Sequence, residues 1–395
     1  MRVGVEMRRI YFDNNATTPV LPDVFEAMRP YFDEQFGNAS SIHHPGQEAR
    51  AAVERARESV AALLGCHTSE VVFTSGGTEG DNLAIFGLVR PGDHVITSTI
   101  EHHAVLNACK HLQSAGYDVT FVAGDERGVV DPGDIRRALR PSTKLITVMM
   151  ANNETGVLQA VQEIGKVAAE ADVYFHSDGV QAAGKVPIDV ARIGCDLLSI
   201  SGHKMHAPQG VGALFVRQGT PLEPMLFGGS HERSRRAGTE NVPGIVGLGK
   251  AAELARDGFS NGSVARVAEL RDRMERTILE AVEGAAVNGV DAPRVPNTVN
   301  IHFDSIEGEA MVIALDLKGL AVATGAACSS GATEPSHVLT AMGQTPDRAR
   351  GSLRISLGKQ NTAAEVDVAL QLVPATVARL RELSPVYNRK EAISS

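Results

Sequence analysis

From about residue 70 onward, short apolar β-rich runs, several of them apolar nearly throughout, alternate with longer stretches of helical period. The runs are EVVFTS (70–75), HVITST (94–99), DVTFVA (118–123), LITVMM (145–150), VYFHSD (173–178), DLLSIS (196–201) and GVGALFV (210–216). Strands exposed on one face alternate polar and apolar positions, so runs this uniformly apolar predict strands covered on both faces. Between most of them lie segments such as HAVLNACKHLQSAG and VQEIGKVAAEA, whose apolar residues recur at helical spacing. The alternation predicts an α/β unit with a mostly parallel sheet.

After about residue 256 the rhythm changes. A long charged amphipathic helix (263–284) precedes the runs TVNIHF, LAVAT and SLRISL, with helices between them and a last helix from about residue 363. This pattern predicts a smaller α+β domain. The expected division is a large domain over 17–256 and a small domain over 257–395, to which the stretch 1–16 adds. A length of 395 residues suits two domains better than one core.

The net charge of −9 gives a nucleic-acid surface no bulk support. Arg233, Arg235 and Arg236 form the one notable basic cluster, and Glu232 and Glu240 flank it. No run approaches the roughly 18 apolar residues of a membrane span, and the opening MRVGVEMRRIYFDNNATTP has no apolar stretch of signal-peptide length. Cys66, Cys109, Cys195 and Cys328 are scattered without a CxxC pair, which fits neither a disulfide framework nor a zinc cluster. The expected setting is a reducing cytoplasm with no membrane and no nucleic-acid partner.

In open α/β sheets, ligands bind beyond the carboxyl ends of the strands. Here those ends carry Thr74-Ser75-Gly76-Gly77-Thr78, His102, Asn153, Asp178 with Gln181, and Ser201-Gly202-His203-Lys204, so polar groups converge on one crevice. The paired glycines before a helix suit a phosphate at free N–H groups; a plain strand–helix turn with a Thr cap gives the same pattern. Asp178 can hold a pyridine nitrogen protonated, or can cap the next helix. Lys204, two residues after a glycine and between two histidines, suits a Schiff base at a strand end, although an isolated lysine is ordinarily a surface charge.

Cys328 lies in LAVATGAACSSGATEPSHVL, among small residues between a strand and a helix that Pro335 is expected to open at its first position. That places its thiol on an accessible loop. Cys109 and Cys195 sit in apolar contexts, and Cys66, after Gly65, is left open. GIVGLGKA (244–251) resembles a P-loop and GLGKAA (247–252) a dinucleotide fingerprint, but Ala251 replaces the Ser or Thr that binds magnesium and no strand precedes either. Both read as helix-packing glycines. His43-His44 and His102-His103 lack carboxylate or Cys partners at matching spacing, so no metal site is expected.

Taken together, YFDNNATTP (11–19), FTSGGTEGDN (73–82), EHHAVL (101–106), ANNETGVLQ (151–159), SGHK (201–204), GGSHERSRRAGTENV (228–242), TGAACSSG (324–331), EPSHVL (334–339) and SLRISLG (352–358) resemble the cysteine desulfurases of the NifS/IscS type. These belong to the class V pyridoxal-phosphate (PLP) dependent aminotransferases. The resemblance implies PLP fold type I and a reaction that takes sulfur from L-cysteine, leaving L-alanine and a persulfide on Cys328. It implies Lys204 as the lysine that joins PLP, Asp178 as partner of the ring nitrogen, and His102 stacked on the ring and assisting proton transfer. Asn153 and Gln181 would orient the ring hydroxyl and the substrate, and Gly77, Thr78, Ser201 and His203 would hold the phosphate. Thr239 would reach the phosphate of a second subunit, implying a homodimer. Arg354 would clamp the substrate carboxylate. A sulfur acceptor such as an iron–sulfur scaffold would be the partner protein. The sequence departs from the commonest family pattern at TGAAC, SDGVQ and HKMHAPQG, without losing any of these groups. The alternatives are a selenocysteine lyase or another class V transaminase, and a scaffold without activity.

Overall fold

The computed structural model describes residues 9–325 and 335–383. Strand β1 (Ile10–Tyr11) comes first, followed by β2 (Val71–Thr74), β3 (His94–Ser98), β4 (Asp118–Val122), β5 (Thr143–Thr147), β6 (Tyr174–Asp178), β7 (Leu197–Ser201) and β8 (Gly212–Val216). β2 to β8 form one seven-stranded sheet in the order β2-β8-β7-β6-β5-β3-β4. The run from β7 to β4 is parallel, whereas β8 is antiparallel to both of its neighbours. The expected α/β architecture with a mostly parallel sheet is the one observed.

The uniform apolar runs have a direct cause. Val71 and Phe73 face one apolar cluster, with Ile96, Ile146, Phe175 and Ile200, while Val72 faces another, with Val95, Leu145, Leu197 and Leu214. Successive side chains point to opposite faces, and both faces are covered. Edge strand β4 is the exception, with Asp118 exposed and only Val122 buried.

The remaining strands are β9 (Ala285–Val287), β10 (Thr298–Phe303), β11 (Leu320–Ala321), β12 (Ala323–Thr324) and β13 (Ser352–Ser356). An antiparallel sheet has the order β12-β13-β10-β9, and β1 pairs in parallel with β11. Ile10 and Phe12 pack in one cluster with Met274, Phe303, Leu353 and Val373. Val338 and Leu339 pack instead in the cluster of Phe73 and Phe175.

Two element ends differ from expectation. The amphipathic helix from Ser263 stops at Ala281, because Val282 turns to an extended conformation. Pro335 does not open the following helix. Ser336 caps helix His337–Ala341, its Oγ accepting from the Leu339 N–H at 3.1 Å. A hydroxyl oxygen satisfies an orphan donor, which a proline ring does not offer.

The glycines of GIVGLGKA lie inside helix Val242–Ser260. A Cβ on Gly249 would sit 2.6 Å from Ala56 Cα, and one on Gly247 2.6 Å from Met28 Sδ. Gly249 lets this helix close onto helix His44–Leu64, and Gly247 lets it close onto helix Pro22–Met28. Gly249→Leu is expected to overpack that contact and cost about 1–3 kcal/mol, read as a lower urea midpoint. Among the described residues, no helix is long and apolar enough to cross a membrane.

Candidate active site

Beyond the carboxyl ends of β2, β3, β5, β6 and β7 lies a cleft of about 240 Å³. Gly77, Thr78, His102, Asn153, Asp178, Gln181, Ser201, His203, Lys204 and Arg354 all line it. The sequence placed all of these but Arg354 at strand ends, and the parallel order of the sheet brings those ends together; Arg354 comes from β13 of the antiparallel sheet.

Lys204 ends the short turn Gly202–Lys204 after β7. Its Nζ donates to the carbonyls of Asn15 at 2.6 Å and Ala16 at 2.7 Å. The segment after β1 thus holds the lysine. Asn15 is a hub: its carbonyl also accepts from Gln181 Nε2 at 3.0 Å, and its Oδ1 accepts from Lys185 Nζ at 3.0 Å and from Asn297 Nδ2 at 3.1 Å. Lys185 Nζ also donates to Gln181 Oε1 at 2.5 Å, so both ends of the Gln181 amide are engaged within the chain. Burial, then the charges of Lys204 and Arg354, hold the Lys185 amine well below the usual range.

Asp178, at the end of β6, accepts the Val180 N–H at 2.9 Å, closing a tight turn rather than capping a helix. Burial pushes its carboxyl up to about 6, against that hydrogen bond and the Lys204 charge. Burial and then the Asp178 charge push neighbouring Asp81 well above the usual carboxylate range. Of the two carboxyls, Asp81 is the more readily protonated, since burial and the Asp178 charge both act against its ionised form. Among the described residues, no cation lies within ion-pair distance of Asp178.

Helix Gly77–Phe86 follows β2 and begins at Gly76 without a side-chain cap, so the Thr cap is not formed. Its first N–H groups stay free to meet an anion. A Cβ on Gly77 would lie 2.5 Å from Val180 Cγ2, so only glycine lets the helix start approach the cleft. His102 caps helix His103–Ser114, its Nδ1 accepting the Ala104 N–H at 3.2 Å. Burial first, then the Lys204 charge, bring this imidazole down to about 4, so it is neutral at pH 7. Burial and the Lys204 charge do the same to His203, whose Nδ1 lies 3.1 Å from Thr17 Oγ1.

Arg354, from β13, donates from Nη1 to the Asn153 carbonyl at 3.0 Å and from Nη2 to Asp13 at 2.7 Å. Its Nε and Asn153 Oδ1 are buried without partners. An orphan donor and an orphan acceptor on adjoining cleft residues call for a polar ligand that satisfies both.

Thr239 does not line the cleft. It is exposed on the loop after the short turn His231–Ser234. That loop is pinned by a buried two-bond pair between Arg57 and Glu232, 2.8 Å at each contact, and by Arg236 on Glu79 at 2.8 Å. Cys328 lies outside the described residues. Burial pushes the thiols of Cys66, Cys109 and Cys195 up to about 12, which leaves them poor nucleophiles; the open case of Cys66 closes there.

Sequence reasoning missed Asn15, Ala16, Asp81 and Lys185. The spacing of Gln181 and Lys185, one helical turn, was the one local signal available. It also missed Glu101, whose buried carboxyl accepts from Ser98 Oγ at 2.5 Å and from the Met149 N–H at 3.1 Å. Burial raises Glu101 to about 8 in spite of those bonds. A raised carboxyl favours the fold fully below its unfolded value and loses that benefit as pH rises through the folded one. For this proton alone, stability should therefore fall from about pH 4.5 up to about 8, by at most about 1.4 kcal/mol per pH unit. Glu101→Gln should flatten that slope in urea unfolding.

PLP carries a phosphate, an aldehyde and a ring nitrogen. The uncapped glycine helix start with Thr78 and Ser201 suits the phosphate, Lys204 the aldehyde, and Asp178, a buried carboxyl with no ion-pair partner among the described residues, a protonated nitrogen. The residues present fit the group.

Comparison with known proteins points the same way. The chain is 50% identical over 385 residues to a cysteine desulfurase of Nostoc sp., covering 97% of this chain and 96% of that protein. A solved NifS-like protein superposes with a TM-score of 0.87 at 36% identity, covering 94% of this chain and all of the other. A protein named SspA, solved in complex with cysteine, superposes with a TM-score of 0.79 at 38% identity over 89% of this chain and 99% of its own. The family described as aminotransferase class V matches residues 10–369. The chain belongs to the class V aminotransferase family.

Proposed function

We propose that this chain is a PLP-dependent cysteine desulfurase, which moves the sulfur of L-cysteine onto Cys328 and releases L-alanine. One observation supports this most: Lys204, the Asp178 carboxyl and the orphan Nε of Arg354 share one cleft. An amine, a carboxyl and an open guanidinium donor are what PLP and an α-amino acid together require. Relatives named cysteine desulfurase and a neighbour solved with cysteine support the same substrate.

When bound, PLP supplies an electron sink at the substrate Cα. Gly77, Thr78, Ser201 and His203 would hold its phosphate, and Asp178 would keep a proton on the ring nitrogen. Asn153 and Gln181 orient ring hydroxyl and substrate. Arg354, already anchored by Asp13, clamps the substrate carboxylate. Lys204 Nζ anchors PLP and takes the Cα proton, and neutral His102 assists in proton transfer. The Cys328 thiolate attacks the substrate sulfur; the carbon–sulfur bond breaks with its electron pair leaving on carbon, and Cys328 keeps the sulfur as a persulfide. The raised thiols of the other cysteines leave this role to Cys328.

We further place residues 17–256 in a PLP-binding domain, and 1–16 with 257–395 in a small domain bearing Cys328. Thr239 reaches the phosphate of a second copy, which makes the working form a homodimer. The enzyme acts in a reducing cytoplasm and passes sulfur to an acceptor such as an iron–sulfur scaffold. The test is incubation of the PLP-loaded protein with L-cysteine and a thiol reductant. Equal amounts of alanine and sulfide support the reading. Exchange of the amino group onto a keto acid, or turnover of selenocysteine alone, overturns it.

A further inference from the structure

Glu154 follows Asn153 in ANNETG, yet nothing in the reaction described above uses it. It is 3% exposed. Its backbone is fixed on both sides: the N–H donates to Asn152 Oδ1 at 2.9 Å and the carbonyl accepts from Asn300 Nδ2 at 3.1 Å. Its side chain meets two points far apart in sequence. Ser336 Oγ donates to Glu154 Oε2 at 2.5 Å, and a Cβ on Gly325 would lie 2.5 Å from the same oxygen. A side chain at residue 325 would have to displace this carboxylate from its bond with Ser336. Ser336 in turn caps helix His337–Ala341 through the Leu339 N–H, so the contact reaches a helix start.

Gly325 and Ser336 flank the segment that contains Cys328. At its other end Glu154 is bonded to Asn153, whose carbonyl holds Arg354 Nη1 at 3.0 Å. Burial pushes the Glu154 carboxyl up to about 7, opposed by the Ser336 bond and the Arg354 charge. An apolar residue would avoid that desolvation, so the site retains a costly group where the substrate clamp meets both roots of the sulfur-accepting segment.

We propose that Glu154 is a positioning residue for sulfur transfer, fixing Gly325 and Ser336 against the strand end that holds the substrate through Asn153 and Arg354. The proposal rests on the cysteine desulfurase reading. Glu154 touches neither substrate nor PLP in this role; it acts through the two roots. Transfer between groups on separate tethers depends steeply on their placement, and a misplacement of about 1 Å can cost a hundredfold. A residue that served stability alone would affect cysteine binding and sulfur transfer alike.

The test uses the PLP-loaded enzyme as wild type, Glu154→Ala, Glu154→Gln and Ser336→Ala. Cysteine affinity is read from the absorbance change of the bound cofactor, and persulfide formation on Cys328 from quenched single turnovers analysed by mass spectrometry. Glu154→Ala and Ser336→Ala should bind cysteine within about threefold of wild type and form persulfide roughly ten- to a hundredfold more slowly. Glu154→Gln keeps an acceptor oxygen for Ser336 and should recover to within about fivefold of wild type. An unchanged persulfide rate in both alanine variants overturns the proposal, as does a loss of binding in proportion to the loss of rate. Should Glu154→Ala fail to fold, Ser336→Ala decides by the same split. Absence of persulfide in the wild type sinks the desulfurase reading itself, a result distinct from failure of the variants alone.

Discussion

Replacing Lys204 with alanine should cost at least about a thousandfold in cysteine turnover, and should remove the absorbance of covalently bound PLP. The size follows from two losses at one atom, the anchor for PLP and the base at Cα. No neighbour can take over. Lys185 is the nearest candidate amine, but its Nζ is committed to Asn15 Oδ1 and Gln181 Oε1. The Ala16 carbonyl loses its Lys204 donor in the variant, whereas the Asn15 carbonyl keeps Gln181 Nε2. The fold should survive, since those carbonyls line an open cleft that water can enter. Added methylamine should not restore wild-type turnover, because a free amine lacks the fixed placement that the turn Gly202–Lys204 provides. A Lys204→Ala protein with the wild-type absorbance and turnover would refute the assignment.

The second large effect is expected at Cys328. Cys328→Ser should keep the PLP absorbance and bind cysteine, yet form alanine at least about a hundredfold more slowly, with no protein persulfide. Serine can take neither the thiolate's place as nucleophile nor the sulfur. The other thiols offer no bypass. With Cys66, Cys109 and Cys195 all raised to about 12, roughly one in 10⁵ of each is thiolate at pH 7. The same variant separates the two substrates. An enzyme built for selenocysteine would turn that substrate over without Cys328, whereas a cysteine desulfurase loses cysteine turnover.

The sheet was legible because its strands are short, rich in apolar β-forming residues and bounded by polar ones, and those signals are local. The convergence of Gly77, His102, Asn153, Asp178 and Lys204 followed from the parallel order, which sets all strand ends on one side. What could not be read were contacts between residues distant in sequence. The hold of Asn15 and Ala16 on Lys204, the Asp13–Arg354 pair, the Arg57–Glu232 pair and the Ser336–Glu154 bond each join different elements. Lys185 was passed over because lysines are usually solvated. Pro335 stands two positions before the N1 place expected for it, since a proline and a serine side by side both signal a helix start and only packing selects between them.

The most direct measurement is peptide mass spectrometry of the PLP-loaded protein after brief exposure to L-cysteine without reductant. The account predicts one added sulfur atom on the peptide containing Cys328, in the wild type and not in Lys204→Ala. An unmodified Cys328 peptide, or added sulfur on Cys66, Cys109 or Cys195 instead, would contradict it.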